Sequence, residues 1–366
     1  MNEVELTQEL VKINSENPPG NEREISKFIK DFLEDLKISA ELVEFEPNRF
    51  DVVASIGSGK GMMLNGHMDT VPIGSNWNFD PFGGKIANGK VYGRGASDMK
   101  GGIASILVAV KNLSKENFKR KLLLAFVGDE EVALKGSEYL IKNKKEIFKD
   151  IKYGIIGECT DLRIRIAQKG IVHFKVKFQG KAAHGSKPEL GDNAIYKAAD
   201  FIQEVRELIE ELKNKKNPLL GSGTINIGTI KGGTKINVVP DFCDVEVDRR
   251  IIPGETPDYA IKQIKKILKK LKLKASIELE SDSRLPMQLS ENLELIRILK
   301  SVSKADLVGE SGYTEAELFY RDAGVPCVSF GPGTSELAHI ANEYILIKNL
   351  QRATKIYEQI IRKVCL

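Results

Sequence analysis

The chain has 366 residues, enough for two domains that each bury a core. Its 42% hydrophobic and 29% charged residues describe an ordinary soluble globular protein, and a formal charge of +4 argues against a dedicated nucleic-acid binder. Four scattered cysteines, Cys159, Cys243, Cys327 and Cys365, form no CxxC pair, and neither a signal peptide nor an apolar run of about 20 residues is found, which together point to a reduced cytoplasmic setting without a membrane span.

In chain order, the first helix is expected after Asn21, a candidate N-cap. Ile25, Phe28, Ile29, Phe32, Leu33 and Leu36 have the spacing of one helix face. Strand-like runs follow at 42–45, 52–56 and 62–64, the last running directly into His67. A helix is expected over 102–113. The continuous apolar runs at 122–127 and near 153–156 read as strands buried on both faces. Strands alternating with helices indicate an α/β layer with a mostly parallel sheet.

The texture changes near residue 168. Val172, Phe174, Val176 and Phe178 alternate with His173, Lys175 and Lys177, as in a strand with one solvated face. A helix at 193–212, strands at 224–230 and 243–247, a lysine-rich helix at 257–271 and a strand at 275–279 complete a β-α-β-β-α-β order, a small ferredoxin-like α+β sandwich. The α/β pattern then resumes with a helix at 292–302, a strand at 326–330 and a helix at 350–364. The expected organisation is a catalytic domain at 1–167 and 286–366 with a lid or dimerisation domain at 168–285 inserted into it.

Four segments carry possible metal ligands directly after a strand: His67-Met68-Asp69, Asp129-Glu130-Glu131, Gly157-Glu158, and the stretch from Gly331 to His339. A fifth, Ser97-Asp98-Met99, precedes the helix at 102. In an open α/β sheet such groups collect beyond the carboxyl ends of the strands. Each has a plain alternative. His67 and Asp69 could be a satisfied pair, Glu130 and Glu131 solvated acids at a helix start, Asp98 an N-cap, and His339 structural. His173 and the cysteines read as structural. The joint occurrence favours a metal centre, because carboxylates crowded without a counter-charge repel one another. Two imidazoles with several carboxylates suit zinc, cobalt or manganese better than calcium.

Taken together the motifs resemble the M20 metallopeptidase family over essentially the whole chain. That family includes succinyl-diaminopimelate desuccinylase, acetylornithine deacetylase, aminoacylase and the glutamate carboxypeptidases. The segments that carry the resemblance are 65–72, 92–102, 128–131, Gly157-Glu158, Ala183-His184-Gly185-Ser186, Asn237-Val238-Val239-Pro240, Gly331-Pro332-Gly333 and Ala338-His339.

The resemblance implies two divalent metal ions, with zinc first and cobalt or manganese as alternatives. Asp98 would bridge them. His67 and Glu158 would complete one site, and Glu131 and His339 the other. Asp69 would receive the free ring N–H of His67, and Glu130 would be the general base. The peptide after Asp98 would be cis. His184, in a homodimer, would reach the partner's active site. Asn237 and Arg250 would hold the substrate carboxylate, with Arg249 as the alternative arginine. Gly331 and Gly333 would present backbone amides to the substrate. Thr314-Glu315-Ala316 stands where several relatives have Thr-Asp-Ala, and here the chain looks more like the acetylornithine deacetylase branch.

The implied activity is hydrolysis of the amide bond of a small N-acyl amino acid, of the desuccinylase or deacetylase type. A dipeptidase or carboxypeptidase of the same family is the first alternative, and an idle binding protein on this fold is the second. Lys169, Lys181, Lys187, Lys231 and Lys235 flank the inserted-domain motifs. They could favour an anionic acyl group or form a solvated basic face.

Overall fold

The apolar runs at the centre of the first half become two adjacent parallel strands, Gly61–His67 and Leu122–Val127, buried along their whole length in the computed structural model. The structure describes residues 1–280 and 283–366. It divides into two compact units, one of Met1–Ile166, Leu289–Val308 and Thr314–Leu366, the other of Ala167–Gln288 and Gly309–Tyr313.

In the first unit, Gly61–His67 also pairs in parallel with Ile151–Ile156, which pairs in parallel with Cys327–Ser329. The hairpin of Ala40–Glu46 and Arg49–Ile56 adds antiparallel strands at the side of Leu122–Val127. The register sets His67 opposite Val127, Asn65 opposite Ile156, and Ser329 opposite Ile156. All four parallel strands therefore end at one edge, where the four segments with candidate ligands emerge. Strands this apolar need cover on both faces. Gly101–Leu113, nearly all buried, packs with Ile347–Cys365 and Glu3–Lys12, while Glu22–Asp35 packs on the hairpin.

The second unit is a four-stranded antiparallel sheet in the order Thr224–Gly232, Phe242–Ile251, Gly170–Gln179, Ala275–Leu279. Helices Ala194–Leu212 and Pro257–Lys270 close over one face. Val172, Phe174, Val176 and Phe178 meet Phe201 and Ile264 in a core of this unit's own residues. This is the β-α-β-β-α-β arrangement expected from the alternating pattern.

Among the described residues, three α-helices lie outside the expected ones: Glu3–Lys12, Lys135–Asn143 and Ala316–Asp322. The first carried a signal. Asn2 caps it, and Asn2 with Glu5 forms a reciprocal capping box. Asn21 starts the next helix without a side-chain cap, so its expected role is corrected. All four cysteines are free and buried. No helix among the described residues is long and apolar enough to cross a membrane.

Leu10 is fully buried on the unanticipated first helix. Leu10→Ala is expected to cost about 2–5 kcal/mol in equilibrium urea unfolding. A loss below about 0.5 kcal/mol, the range of surface substitutions, would show that this helix is not docked.

Candidate metal centre

Two groups of ligand atoms form at the carboxyl edge of the first unit's sheet, and they share one residue. His67, Asp98 and Glu158 offer atoms within 4.8 Å of one another, and so do Asp98, Glu131 and His339. His67 Nε2 lies 3.2 Å from Asp98 Oδ1 and 3.7 Å from Glu158 Oε1. His339 Nε2 lies 2.9 Å from Glu131 Oε2 and 3.5 Å from Asp98 Oδ2. Asp98 sits where the chain leaves helical geometry, between Ala96 and the helix at Gly101, and the Asp98–Met99 peptide is cis. A third group, Glu130, Glu158 and Glu315, adjoins the first.

Backbone amides hold these side chains in place. The Asp69 carboxylate accepts the N–H groups of Glu130 and Glu131, each at 3.1 Å, and the Asn17 amide at 2.9 Å. This corrects the expected role of Asp69. The nearest acceptor for His67 Nδ1 is the Asp69 backbone carbonyl at 2.9 Å, while the carboxylate stands at 3.7 Å. Two of the three N–H bonds go to Asp69 Oδ2 and one to Oδ1, the oxygen that faces His67. Behind it, Asn17 also donates to Asp129, and Arg49 pairs with Asp129 at 2.8 Å and with Glu22. Asp129 takes a left-handed backbone, φ +66°, which turns the chain so that Glu130 and Glu131 follow at the strand end.

The two glycines of Gly331-Pro332-Gly333 act largely through their size. A Cβ on Gly331 would lie 2.4 Å from the carbonyls of Gly157 and Glu158, and one on Gly333 would lie 2.0 Å from that of Ser97. Only glycine lets this loop approach both ligand-bearing segments. The Gly331 N–H donates to Thr160 Oγ1 at 3.0 Å, so it is not free to present to a substrate as expected.

Burial and mutual repulsion shift the acids. Burial pushes Glu131 up to about 7 and Glu315 up to about 8. Burial also raises Glu130 well above the ordinary range, with Glu315, Glu158 and Glu131 adding to the effect. Burial opposes a charged His67, but the Asp98 hydrogen bond and the charges of Glu130 and Glu158 hold its pKa well above the usual value. Asp98 moves the other way. Burial would raise it, and the His67 hydrogen bond with the His67 and His339 charges outweighs that. Protons thus stand in for missing positive charge. One Glu131 oxygen and both Glu315 oxygens are buried without a hydrogen-bond partner. A set of two imidazoles and several under-neutralised carboxylates fits a pair of borderline divalent cations.

The remaining candidates lie in the second unit. His184 is exposed, with Nδ1 2.7 Å from Ser186 Oγ. It bridges to Val238, and the adjacent Gly185 N–H donates to the Asn237 carbonyl at 2.8 Å, so His184 and Asn237 are neighbours. Strand alternation separates the two arginines. Arg249 is buried against Glu255 at 3.2 Å, whereas Arg250 lies on the opposite face, held by Asp248 at 2.8 Å. Arg250 is thus the more exposed of the two arginines. Lys169 is buried and donates to the Ser222 carbonyl, while Lys181, Lys187, Lys231 and Lys235 are exposed.

Sequence reasoning passed over four contributors. Asn17 and Arg49 bear no motif. Glu315 was noticed only as a departure from relatives. Glu343, which binds the Asp98 loop through backbone amides, lies just past His339 in a segment with no periodic pattern.

Residues 63–363 match the model of peptidase family M20/M25/M40. A protein described as a probable succinyl-diaminopimelate desuccinylase from Staphylococcus aureus is 30% identical over 98% of each chain. An acetylornithine deacetylase from Vibrio atlanticus is 31% identical, over 94% of this chain and 92% of that one. Among solved structures, an M20 family metallo-carboxypeptidase from Sulfolobus solfataricus shares the fold, with a TM-score of 0.80 over 98% of each chain at 24% identity.

The raised acids make a prediction for the metal-free chain. Glu131 and Glu315 bind protons more tightly folded than unfolded, where the reference is 4.5. Their stabilising contribution is therefore complete below about pH 4.5 and lost as pH rises towards about 8. His67 and His339, also raised, act in the same direction. Asp98, lowered, acts oppositely but only in the acid range. The chelator-treated chain should lose melting temperature between pH 5 and pH 8, and saturating Zn²⁺ should remove that slope. Calorimetry showing a metal-free chain that gains stability over this window would refute the crowding.

Proposed function

The chain belongs to peptidase family M20/M25/M40, and from that premise we propose that it is a two-metal amidohydrolase that removes the acyl group from an N-acyl amino acid. That it is a metal-dependent hydrolase follows from the family and from its desuccinylase and deacetylase relatives. The observation that carries the finer reading is the sharing of Asp98 between two ligand groups, with Glu130 beside one of them.

His67, Asp98 and Glu158 would hold one divalent ion, and Asp98, Glu131 and His339 the other. Zinc is the first choice, and cobalt or manganese would be accepted. When bound, the pair supplies Lewis acidity that acidifies water and polarises the amide carbonyl. Glu130 accepts the proton of the attacking water on a carboxylate oxygen. It returns that proton to the departing nitrogen, so base and acid are one residue in two steps. Asp69 keeps Glu130 in place through its backbone N–H. Asn237 and Arg250 receive the substrate carboxylate, and Gly333 offers its amide. His184 donates a hydrogen bond to the tetrahedral oxyanion. It does so from the partner subunit of a homodimer, with the second unit as lid and dimerisation domain. The exposed Lys181, Lys187, Lys231 and Lys235 read first as a solvated basic face, with attraction of an anionic acyl group such as succinyl as the second reading.

The deciding assay is chelator-sensitive release of free amine from N-succinyl-diaminopimelate, N-acetylornithine, other N-acyl amino acids and several dipeptides. Turnover of one acylated amino acid is expected. Turnover confined to dipeptides would make the protein a peptidase of the same family, and none with any added metal would leave an idle binding protein. Glu130→Gln should keep its metal and lose about 10²–10⁴-fold in turnover, whereas near-native turnover would remove the base assignment. His184→Ala should also be inactive, and mixing the two inactive variants should restore part of the turnover. Mixed dimers with no recovery would sink the cross-subunit role.

A further inference from the structure

Glu343 is fully buried four residues beyond His339, and every hydrogen bond it accepts comes from the segment that carries Asp98. Its Oε1 accepts the N–H groups of Ser97 at 2.8 Å and Asp98 at 3.0 Å. Its Oε2 accepts the Gly95 N–H at 3.0 Å and Arg94 Nη1 at 2.7 Å. Those amides have few other outlets. Asp98 and Met99 are non-helical, and the regular helix begins only at Gly101. A buried N–H without an acceptor is costly, so the carboxylate stabilises an otherwise unfavourable loop.

Arg94 extends the connection. It is almost fully buried and donates to the carbonyls of Ile340 and Pro72, both at 3.2 Å. Its guanidinium also stacks over Trp77 at 5.2 Å. One ion pair thereby joins the chain just after Asp69, the loop of Asp98 and the chain just after His339.

We infer that Glu343 and Arg94 are positioning residues of the metal centre, a buried pair that sets the distance between Asp98 and His339 so that the two can share a cation. This rests on the two-metal reading above. Neither side chain belongs to a ligand group. Their action is through the backbone, and a carboxylate is required for it. Gln at 343 offers one acceptor oxygen and turns an NH₂ group toward N–H donors, so about half of the contacts become repulsive. Lys at 94 keeps a charge but cannot reach a carboxylate and two carbonyls from one planar fork.

The test uses the full-length chain, stripped of metal and titrated with Zn²⁺ alone against a chromophoric chelator, with visible absorption of the Co²⁺-loaded protein as a second readout. Ile360→Val, a truncation in the core of the last helix, serves as the stability control. Wild type should bind two ions. Glu343→Gln should bind about 10–100-fold more weakly, with altered cobalt bands, and Arg94→Lys should weaken binding less. Ile360→Val should lose melting temperature and keep its zinc affinity. If folded Glu343→Gln and Arg94→Lys both bind zinc like wild type, the inference is overturned while the two-metal reading stands. Equal weakening in the Ile360→Val control would also overturn it, since lost stability alone would then explain the effect. Should Glu343→Gln fail to fold, Arg94→Lys decides by the same criteria. A wild-type chain without stoichiometric zinc would remove the two-metal reading and this inference with it.

Discussion

Carboxylates brought together out of water repel, and that repulsion strengthens as the effective dielectric falls. Asp98, Glu130, Glu131, Glu158 and Glu315 meet at one edge of the first unit's sheet, with His67 and His339 among them and the Arg165 charge acting on Asp98 and Glu158. A flexible protein would relax such a cluster by turning the acids to solvent. Here Glu130, Glu131 and Glu158 follow strand ends, Asp98 and Glu315 stand just before helices, and the backbones of Glu130, Glu131 and Asp98 are held by other groups. Cations or protons must then come to the acids, and the upward shifts of Glu130, Glu131 and Glu315 express that demand.

The holding groups share one design. Carboxylates that bind no ligand atom spend their lone pairs on backbone N–H groups beside those that could. Asp69 does this for Glu130 and Glu131, and Glu343 does it for Ser97 and Asp98. Charge-assisted bonds of this kind are short and strong, and they fix a loop without occupying its side chain. Close backbone approach completes the arrangement, with the Gly331-Pro332-Gly333 loop lying against the carbonyls of Ser97, Gly157 and Glu158. The site is thus built from two layers of acids, one facing inward for cations and one facing the chain.

The second unit follows a simpler logic. Its alternating strands separate a core face from a polar face, which buries Arg249 and leaves Arg250 available. His184 and Asn237 lie on adjoining exposed segments. Both side chains are exposed and lie outside that unit's buried core.

The sequence alone determined the parallel α/β layer, the inserted β-α-β-β-α-β pattern and the segments from which candidate ligands emerge, while the choice of ligands within those segments came from the family resemblance. These are local properties: apolar runs, period-two alternation, and acids or histidines placed directly after strands. Periodicity also located most helices, but not Glu3–Lys12, whose capping box went unread, nor the short Ala316–Asp322 that follows Glu315. Tertiary structure alone decided which acceptor His67 uses, which arginine is accessible, and that Gly331 serves by its size rather than its amide. It also decided that Asn17, Arg49, Arg94 and Glu343 support the site. Hydrogen bonds such as that between Ser97 and Glu343 join residues 246 positions apart. Such partners have no pattern along the chain, because only the fold sets which backbone amides are left in need of an acceptor.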